Sequence, residues 1–347
     1  MKESYLKREI YEQPAILERL LREEKGHVAD IAGWLQQQHI NAILIAARGT
    51  SDNAATYGKY LFGIHNQLPV ALATPSLYTL YQRPPRLQNC LVLGISQSGQ
   101  SPDIVAVVEE GRRQGAPTLT ITNEPDSPLA QAADEVISCH AGEEHAVAAT
   151  KTYTAQLAAL ALLSAHWAED VERLDQLMAV PEAVARTLAL NEKIWQQAER
   201  YRYMEDCVVI GRGYNYATAF EISLKLKELT YVLAEPYSSA DFRHGPVALV
   251  EGGFPVLVVA PEGVVYPDVM QLVDRLQQRE AELMIISNQE DGLARAQTPL
   301  PLPSDVPEWL SPLVAILPGQ LLAYHLTLVK GYDPDHPRGL RKATITQ

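Results

Sequence analysis

The sequence predicts an α/β protein built from two tandem copies of one fold, each a parallel β-sheet with helices on both faces in a three-layer αβα arrangement. Each half alternates short apolar runs, typical of buried strands, with longer segments of helical period, and this alternation is typical of βαβ units. The second observation is an internal repeat. Residues 43–49 resemble residues 207–213, and residues 121–124 resemble residues 286–289.

The elements of the first half follow one another in a clear order. Apolar runs predict strands, and segments of helical period predict helices. In chain order they are residues 42–47 (strand), 91–95 (strand), 102–113 (helix), 134–139 (strand), 150–167 (helix) and 170–199 (a helical link between the halves). We therefore divide the chain into residues 1–190, the first copy with an N-terminal helical segment, and residues 191–347, the second copy with a C-terminal tail.

The composition of the chain excludes several classes of function. With 347 residues, 47% hydrophobic and 20% charged, the chain has the composition of a folded protein and not of a disordered one. The net charge of -13 argues against nucleic acid or an anionic membrane as partner, since both favour clustered Lys and Arg. The N-terminus lacks the apolar core of a signal peptide, and no apolar run reaches about 18 residues, so we expect a cytoplasmic protein.

The cysteines and histidines indicate neither disulfides nor a metal. Cys90, Cys139 and Cys207 are widely spaced and border strand-like runs, as expected of reduced structural thiols. The histidines do not pair with Cys or carboxylates at ligand spacing. We therefore expect no metal site and no cofactor.

Residues 96–101, Ser-Gln-Ser-Gly-Gln-Ser, predict a phosphate-binding loop, here called the phosphate cradle. They connect a predicted strand to a predicted helix, where backbone N–H groups, serine hydroxyls and the positive helix end converge. The lysine of the nucleotide P-loop and the glycine triplet of dinucleotide sites are both absent. A plainer alternative also fits, in which the serines only cap the helix.

Residues 48–52, Arg-Gly-Thr-Ser-Asp, form a second hydroxyl-bearing loop between a predicted strand and a predicted helix. In open parallel sheets, ligands bind at the carboxyl ends of the strands. Ser51 is therefore expected to face the same ligand as the phosphate cradle. The corresponding loop of the second half, residues 261–263, is Pro-Glu-Gly without serines, so only the first copy is expected to hold a phosphate.

Residues 221–228 of the second half are candidates for chemistry. Helical spacing puts Glu221, Lys225 and Glu228 along one face, although an exposed salt-bridged helix has the same pattern. Further along, His244 lies in a loop bounded by Gly and Pro, where core packing does not readily explain it. A lone histidine in a loop can equally be inert.

The C-terminal segment, residues 330–342, is too rich in Pro and Gly for a helix and is expected to wrap over the surface. A solvated basic tail is the alternative. We expect the segment to fold over the active site and to bring Lys342 there, so deletion of residues 335–347 is expected to abolish turnover. Because few apolar residues are lost, thermal stability is expected to stay nearly unchanged.

Together these segments resemble the sugar isomerase (SIS) family, and within it the isomerase half of glucosamine-6-phosphate synthases. The resemblance covers nearly the whole chain and keeps the family's order. The matching segments are residues 49–51, 96–99, 147–151, 224–228, 244–246 and 335–338, with Lys342. It implies two tandem SIS domains, each flavodoxin-like.

The resemblance also implies roles for individual residues. Those expected to bind the sugar phosphate are Ser51, Ser96, Gln97, Ser98, Ser101, Val147, Ala149 and Glu221, with Val147 and Ala149 acting mainly through backbone. Those expected to be catalytic are Glu228, Lys225, His244 and Lys342. Glu228 is implied to be the base that moves a proton between C1 and C2, and Lys225 its charged neighbour. His244 is implied to open the sugar ring, and Lys342 to reach the open-chain carbonyl.

Two departures from the family accompany this resemblance. The family often has serine where this chain has Ala149, and more often glutamate where it has Asp241. The loss at position 149 removes one hydroxyl contact with the sugar. Independently of the resemblance, these residue types suit aldose–ketose exchange: histidine exchanges protons near neutral pH, a carboxylate removes a proton beside a carbonyl, and lysine can form an iminium.

The N-terminal residues bear on which reaction the sequence predicts. A glucosamine-6-phosphate synthase carries a glutaminase domain with an N-terminal cysteine nucleophile, whereas residues 10–14 here resemble the start of the isomerase half. Without glutamine as donor, the same site is expected to release ammonia. The sequence therefore predicts a glucosamine-6-phosphate deaminase that produces fructose 6-phosphate. The resemblance further implies a homodimer with shared active sites, in which the His244 loop reaches the sugar of the neighbouring subunit.

Other functions stay open. The enzymatic alternatives are a fructosamine-6-phosphate deglycase and a galactosamine-6-phosphate deaminase/isomerase. The alternative of another class is a non-catalytic sugar-phosphate-binding regulator. A regulator needs the phosphate cradle but not a base, so Glu228, His244 and Lys342 together favour catalysis.

Overall fold

The computed structural model describes residues 4–342 and contains two five-stranded parallel sheets, each flanked by helices. Both sheets have the same strand order, in which the second strand lies outside the first and the third, fourth and fifth follow on the other side. This is the flavodoxin-like order. The predicted α/β fold with two tandem copies is therefore confirmed.

The first half contains the first sheet, with strand order β2-β1-β3-β4-β5. Its elements are α1 (Tyr5–Gln36), β1 (Ala42–Ala46), α2 (Thr50–His65), β2 (Val70–Leu72), α3 (Ser76–Thr79), β3 (Cys90–Ser96), α4 (Pro102–Arg113), β4 (Thr118–Thr122), α5 (Pro128–Ala132), β5 (Glu135–Ser138) and α6 (Lys151–Trp167). The strands and helices that the sequence predicts here agree with these bounds to within about one residue, closer than helix and strand ends are usually defined.

The second half contains the second sheet, with strand order β10-β9-β8-β6-β7. Its elements are α7 (Val171–Met178), α8 (Val180–Leu188), α9 (Asn191–Ala198), β6 (Asp206–Gly211), α10 (Asn215–Thr230), β7 (Leu233–Ser238), α11 (Ser239–Phe242), β8 (Pro255–Val259), α12 (Tyr266–Gln278), β9 (Glu282–Ser287), α13 (Glu290–Leu293), β10 (Thr298–Pro301) and α14 (Ser311–Val329). Three helices, α7 to α9, occupy the predicted helical link.

The described residues divide into two compact units, each built around one sheet. The first-sheet unit consists of residues 15–144, 151–179 and 341–342, and the second-sheet unit of residues 4–14, 145–150 and 180–340. A division of the chain after residue 190 stays a prediction.

Helices cover both faces of the first sheet because successive side chains of a strand point to opposite faces. On one face, Ile45 of β1 and Leu160 of α6 both approach Gly58 of α2, where an added Cβ would lie 3.2 Å from Ile45 Cδ1. On the other face, Val92 of β3 packs in one apolar cluster with Val107 of α4. This packing holds the start of α4 at the carboxyl end of β3.

The second sheet packs on a helix that is apolar all round. Helix α14 lies against α10 so closely that a Cβ at Gly319 would come 2.4 Å from Ile222 Cγ1. Within residues 4–342, the stretch Glu308–Val329 is the one helix long and apolar enough to cross a membrane by length and composition, but 89% of its apolar 18-residue window is buried in the fold. Burial in a protein core accounts for the same composition.

The three cysteines are free thiols, two of them fully enclosed. Cys139 and Cys207 are buried and Cys90 is half-buried. Burial raises the pKa of both enclosed thiols far above the ordinary value, which disfavours the reactive thiolate. These are properties of structural cysteines.

Asp335, in the C-terminal segment, caps helix α1 at the other end of the chain. Its carboxylate accepts hydrogen bonds from Ser4 Oγ at 3.0 Å and from the N–H groups of Tyr5 and Leu6, both at 2.9 Å. The first N–H groups of a helix have no partner within the helix, and a carboxylate there also opposes the positive helix end. This contact contradicts the expectation that deletion from Asp335 onward leaves stability nearly unchanged.

We predict that Asp335→Ala lowers the free energy of unfolding by about 1–2 kcal/mol, the usual cost of losing a helix cap. Asp335→Asn, which keeps an oxygen acceptor but loses the charge, is expected to fall between the alanine variant and the wild type. Urea unfolding followed by circular dichroism measures both. An alanine variant as stable as the wild type would show that the contact contributes nothing.

Candidate functional site

The phosphate cradle is a tight loop at the carboxyl end of β3. Ser96 Oγ accepts a hydrogen bond from the N–H of Gly99 at 3.1 Å, and Ser98 Oγ accepts one from the N–H of Gln100 at 3.4 Å. Gly99 has a φ of 61°, and a Cβ there would lie 2.0 Å from Ser127 Oγ. The turn therefore needs glycine at this position for both its backbone angle and its space.

Helix α4 begins at the end of the phosphate cradle without a side-chain cap. Ser101 occupies the N-cap position, but its side chain makes no cap hydrogen bond. Pro102 at the first helical position has no N–H to satisfy. The plainer alternative, in which the serines only cap the helix, does not describe Ser101. The positive end of α4 remains available to an anion.

The loop between β1 and α2 contributes Ser51. Its Oγ, buried at the first turn of α2, accepts a hydrogen bond from Gln156 Nε2 at 3.0 Å. A hydroxyl that accepts one bond keeps its own hydrogen for another partner. Strands β1 and β3 are neighbours, with Ala46 paired to Gly94. The β1–α2 loop and the phosphate cradle therefore lie at the same edge of the first sheet, as the sequence predicts.

Arg48 connects these two loops. Its Nε and Nη2 both lie 2.8 Å from Oδ2 of Asp103, the second residue of α4. The Asp103 side chain is 1% exposed, whereas that of Arg48 is 50% exposed. In the same loop, burial raises the pKa of the Asp52 carboxyl and the charge of Arg48 opposes that shift.

Asn123, which follows β4, connects the phosphate cradle to the loop after β5. Its backbone N–H donates to the carbonyl of Gln97 at 3.2 Å. Its side chain accepts from the N–H of Ala141 and donates to the carbonyl of Gly142, both at 2.8 Å. The backbone of Gln97 is therefore held in place by a residue that the sequence analysis treated only as part of the repeat.

Lys342 lies in the first-sheet unit beside Glu144. Its Nζ donates to Glu144 Oε2 at 2.9 Å. Glu144 is buried and also accepts from Thr152, from the N–H at 3.3 Å and from Oγ1 at 2.9 Å, at the start of α6. Sequence reasoning missed Glu144, whose only signal is its place just before the matching segment 147–151.

Helix α10 of the second-sheet unit carries a buried row of charges. Lys225 Nζ lies 2.6 Å from Glu228 Oε2 and 3.4 Å from Glu221 Oε1. The side chains of Lys225 and Glu221 are 1% and 0% exposed, and that of Glu228 is 24% exposed. The row is therefore not the exposed salt-bridged face that the spacing left open. Glu228 is the one of the three that reaches solvent.

His244 is exposed in the loop that follows α11. Its N–H donates to the carbonyl of Asp241 at 3.0 Å. The preceding residue, Arg243, holds the loop on α12 through an ion pair between its Nη1 and Asp268 Oδ1 at 2.9 Å. Burial alone would raise the pKa of Asp268, but hydrogen bonds from Ser239 and Arg243 and the nearby positive charges lower it.

Val147 and Ala149 are half-buried residues of the second-sheet unit. The residues before them are fixed by Glu9, a fully buried carboxylate on α1. It accepts the N–H groups of His145 and Ala146. Glu9 is a second carboxylate that sequence reasoning missed, because it lies more than 130 residues from the segment that it holds.

In the second copy, the loop that corresponds to the phosphate cradle already binds a carboxylate of the chain. This loop, between β8 and α12, donates the N–H groups of Val264 and Val265 to Glu308 at 3.0 and 3.4 Å. Gly263 makes room, since a Cβ there would lie 2.1 Å from Glu308 Cδ. Strand β8 has the place in the second sheet that β3 has in the first. The loop geometry of this repeat therefore suits an anion.

The predicted site residues thus fall into two sets. The first-sheet unit contains Ser51, Ser96, Gln97, Ser98, Ser101 and Lys342, and the second-sheet unit contains Val147, Ala149, Glu221, Lys225, Glu228 and His244. Among the described residues, no group of three or more His, Cys, Asp or Glu side chains could hold a metal ion.

Comparison with known proteins gives a family and several relatives. The SIS domain matches residues 36–165 and 205–330. The glutamine–fructose-6-phosphate aminotransferase (isomerizing) of Thermococcus kodakarensis is 35% identical over 354 residues, covering 99% of this chain and 58% of that protein. That of Thermus thermophilus is 34% identical over 357 residues, covering 99% and 59%. The chain thus spans less than two thirds of these relatives.

Solved structures share the fold. A protein of Silicibacter pomeroyi, provisionally named a phosphosugar isomerase, has a TM-score of 0.87 and 33% identity, covering 96% of this chain and 100% of that one. The C-terminal domain of glucosamine-fructose-6-phosphate aminotransferase from Francisella tularensis has a TM-score of 0.84 and 28% identity, covering 97% and 99%. Glucosamine-6-phosphate deaminase of Thermotoga maritima, at 23% identity and a TM-score of 0.79, covers 99% and 100% and shows the same fold.

We predict that Gly99→Ala lowers the free energy of unfolding by about 2–4 kcal/mol, because the added Cβ is strained at positive φ and overlaps Ser127. Gly115→Ala is the matched control: Gly115 also has a positive φ, of 77°, but open space around its Cβ. It is expected to lose only about 1 kcal/mol. Urea unfolding measures both, and equal losses would show that the overlap with Ser127 is relieved at no cost.

Proposed function

Because the chain belongs to the SIS domain family, we propose that it is an amino-sugar-phosphate deaminase/isomerase, which converts glucosamine 6-phosphate and water into fructose 6-phosphate and ammonia. The family match and the relatives support a sugar-phosphate isomerase fold. To this we add, as our proposal, the substrate, the reaction and its independence from glutamine.

The observation that carries the proposal is the buried row of charges on α10. Burying an ammonium and a carboxylate out of water costs several kcal/mol each, which only close pairing offsets. Lys225 satisfies this condition with two carboxylates, and only Glu228 reaches solvent. A protein that only binds a sugar phosphate does not require a solvent-accessible carboxylate fixed by a buried lysine. An enzyme that moves a proton needs a carboxylate held in one place and accessible to substrate.

The phosphate cradle supports the substrate class. Its backbone turn, its serine hydroxyls and the uncapped start of α4 suit a phosphate at one end of the substrate. Binding the phosphate fixes the distant carbons that react, so the cradle contributes orientation and not chemistry. The carboxylate of Glu308 in the corresponding loop of the second copy supports this assignment.

The reaction follows from the residue types. His244 exchanges the protons that open the sugar ring and expose the C1 aldehyde. Glu228 removes the proton from C2, which carries the ammonium group. The C1 carbonyl oxygen gains a proton as the ammonium nitrogen loses one. Glu228 then returns its proton to C1. The product is an iminium at C2. Water adds to this carbon and ammonia leaves, which gives fructose 6-phosphate. Proton transfer between adjacent carbons by one positioned carboxylate is general acid–base catalysis.

Lys342 is proposed to act beside the open-chain carbonyl. Its Nζ donates to the buried carboxylate of Glu144, and an N–H donor held in this way can stabilise negative charge on a carbonyl oxygen. Formation of an iminium by Lys342 would require the ammonium to give up a proton, and Glu144 is the adjacent acceptor. The contact therefore favours charge stabilisation as the role of Lys342.

The proposal departs from the named activity of the curated relatives. The aminotransferases are longer proteins, and this chain matches 58 to 59% of their length. We propose that ammonia is released without glutamine because the residues proposed for ring opening, proton transfer and phosphate binding all belong to this chain. The name of the Thermotoga maritima protein is that of a deaminase on the same fold.

We predict ammonia release from glucosamine 6-phosphate in the absence of glutamine, and none from glucosamine, which lacks the phosphate. Galactosamine 6-phosphate and fructosamine 6-phosphate test the two enzymatic alternatives. Glu228→Gln is expected to lower kcat by about 100-fold or more, because an amide cannot accept the proton. Ammonia is measured with a coupled dehydrogenase assay.

Glu235→Gln is the matched control for this substitution. Glu235 is also paired with a lysine, Lys227 at 3.9 Å, but both side chains are exposed. Its loss is expected to leave kcat unchanged. Tight binding of the sugar phosphates without any ammonia would instead identify a regulator, and a normal kcat in Glu228→Gln would reject Glu228 as the base.

We further propose that the protein works as a homodimer with shared active sites, in which His244 serves the partner subunit's sugar. Closed two-fold dimers are the most common symmetric assembly. Mixing His244→Ala and Glu228→Gln chains, each inactive alone, is then expected to restore part of the activity, because one site of a mixed dimer keeps both residues. A fully active monomer by light scattering would contradict this prediction.

A further inference from the structure

Arg48 and Asp103 form an ion pair at the phosphate cradle that the serine loop does not explain. Arg48 follows β1, and Asp103 is the second residue of α4, directly after the cradle and Pro102. Two guanidinium nitrogens, Nε and Nη2, lie 2.8 Å from one carboxylate oxygen, Oδ2. The guanidinium is therefore held at the first turn of α4, the helix end that an anion approaches.

The two partners differ in exposure. The Asp103 side chain is 1% exposed, and its second oxygen, Oδ1, accepts the N–H of Ile104 at 3.0 Å. The Arg48 side chain is 50% exposed. A guanidinium has five N–H donors in a planar fork, which suits bidentate contact with a phosphate. Arg48 is thus held from behind by a buried carboxylate and reaches solvent on its other side.

The charges near the start of α4 lead to the same conclusion about Arg48. A phosphate at the start of α4 comes close to the negative charge of Asp103, and like charges in a poorly solvated site repel strongly. Arg48 cancels that charge and has donors left for the ligand. Without Arg48, the buried carboxylate would lose its partner and would oppose the anion.

The second copy of the fold provides an internal comparison. Arg212 and Asp268 occupy the positions of Arg48 and Asp103, and Arg212 Nε lies 3.4 Å from Asp268 Oδ2. Asp268 is also bound by Ser239 and Arg243, and the nearby loop donates to Glu308. In that copy the anion is the chain's own carboxylate. In the first copy the loop carries serines, and the arginine is half exposed.

We propose that Arg48 binds the substrate phosphate directly and that Asp103 positions its guanidinium, an assignment that rests on the proposed function and specifies its phosphate site. Arg48 supplies the fixed positive charge of the site, and the serines and backbone N–H groups supply the directional hydrogen bonds. Asp103 is a positioning residue that acts through Arg48.

The test measures binding and not turnover. Sorbitol 6-phosphate is an open-chain hexitol phosphate that cannot react, and its affinity is measured by calorimetry at several salt concentrations. Arg48→Gln is expected to weaken binding by about 10- to 100-fold, the effect of losing a hydrogen-bonded charge, and to reduce its salt dependence. Arg48→Lys, which keeps the charge without the fork, is expected to recover part of the affinity.

The double variant Arg48→Gln/Asp103→Asn separates two roles of Arg48. It removes both charges, so no buried carboxylate is left unpaired and the fold is kept. If Arg48 contacts the phosphate, the double variant regains only the part of the affinity that the unpaired Asp103 carboxylate removes, and it still binds several-fold more weakly than the wild type. If Arg48 only neutralises Asp103, the double variant binds as the wild type does, and the proposal is overturned.

Arg112→Gln is the matched control for loss of charge. Arg112 lies at the other end of α4, is 55% exposed and also pairs with an aspartate, Asp134, at 3.3 Å. The affinity of the Arg112→Gln variant for sorbitol 6-phosphate is expected to equal that of the wild type. A loss of affinity as large as that of Arg48→Gln would overturn the proposal. Absence of binding by the wild type would overturn the phosphate site itself. The ammonia assay tests the reaction separately. If Arg48→Gln weakens binding but the wild type releases no ammonia, the proposed function is rejected and the phosphate site is kept.

Discussion

The unsatisfied N–H groups at helix starts are the constraint on which the rest of this structure depends. At several helix starts the chain meets this need with a carboxylate: Asp335 at α1 and Glu308 at the loop before α12 come from distant positions, and Glu144 at α6 lies eight residues before its partner. Ser101 and Gly49, the N-caps of α4 and α2, make no side-chain cap bond. These two helix starts lie at the edge of the first sheet where the sequence predicts a phosphate. An external anion can do there what the chain's own carboxylates do elsewhere.

Sequence was sufficient where the information is local. The phosphate cradle is one continuous strand, loop and helix, so its residue types and its place could be predicted together. The same holds for α10, because helical spacing alone brings Glu221, Lys225 and Glu228 together. Spacing could not predict that the row is buried. That depends on how α14 packs against α10, including the close approach at Gly319.

The residues that sequence reasoning missed act over long distances in the chain. Gln156 donates to Ser51 across 105 positions, Lys342 pairs with Glu144 across 198, and Asp335 caps α1 across about 330. A polar residue in a loop has no period that identifies its partner. Asp335 is the clearest case. The tail has few apolar residues, so composition predicted that it contributes little stability, whereas the carboxylate of Asp335 alone accepts from three donors.

The two copies of the fold show how an acidic chain can have a site for an anion. The net charge of -13 describes the whole surface, but fixed dipoles and charges within a few ångströms decide what binds at one loop. Both copies have an arginine after the first strand and a Pro-Asp pair at the start of the helix after the third strand. In the second copy the carboxylate of Glu308 fills the loop, and its negative charge opposes a phosphate there. In the first copy the corresponding loop carries serines, and we propose that the same framework binds a phosphate there. The duplication therefore yields one loop that is complete within the chain and one that, in our proposal, a phosphate completes.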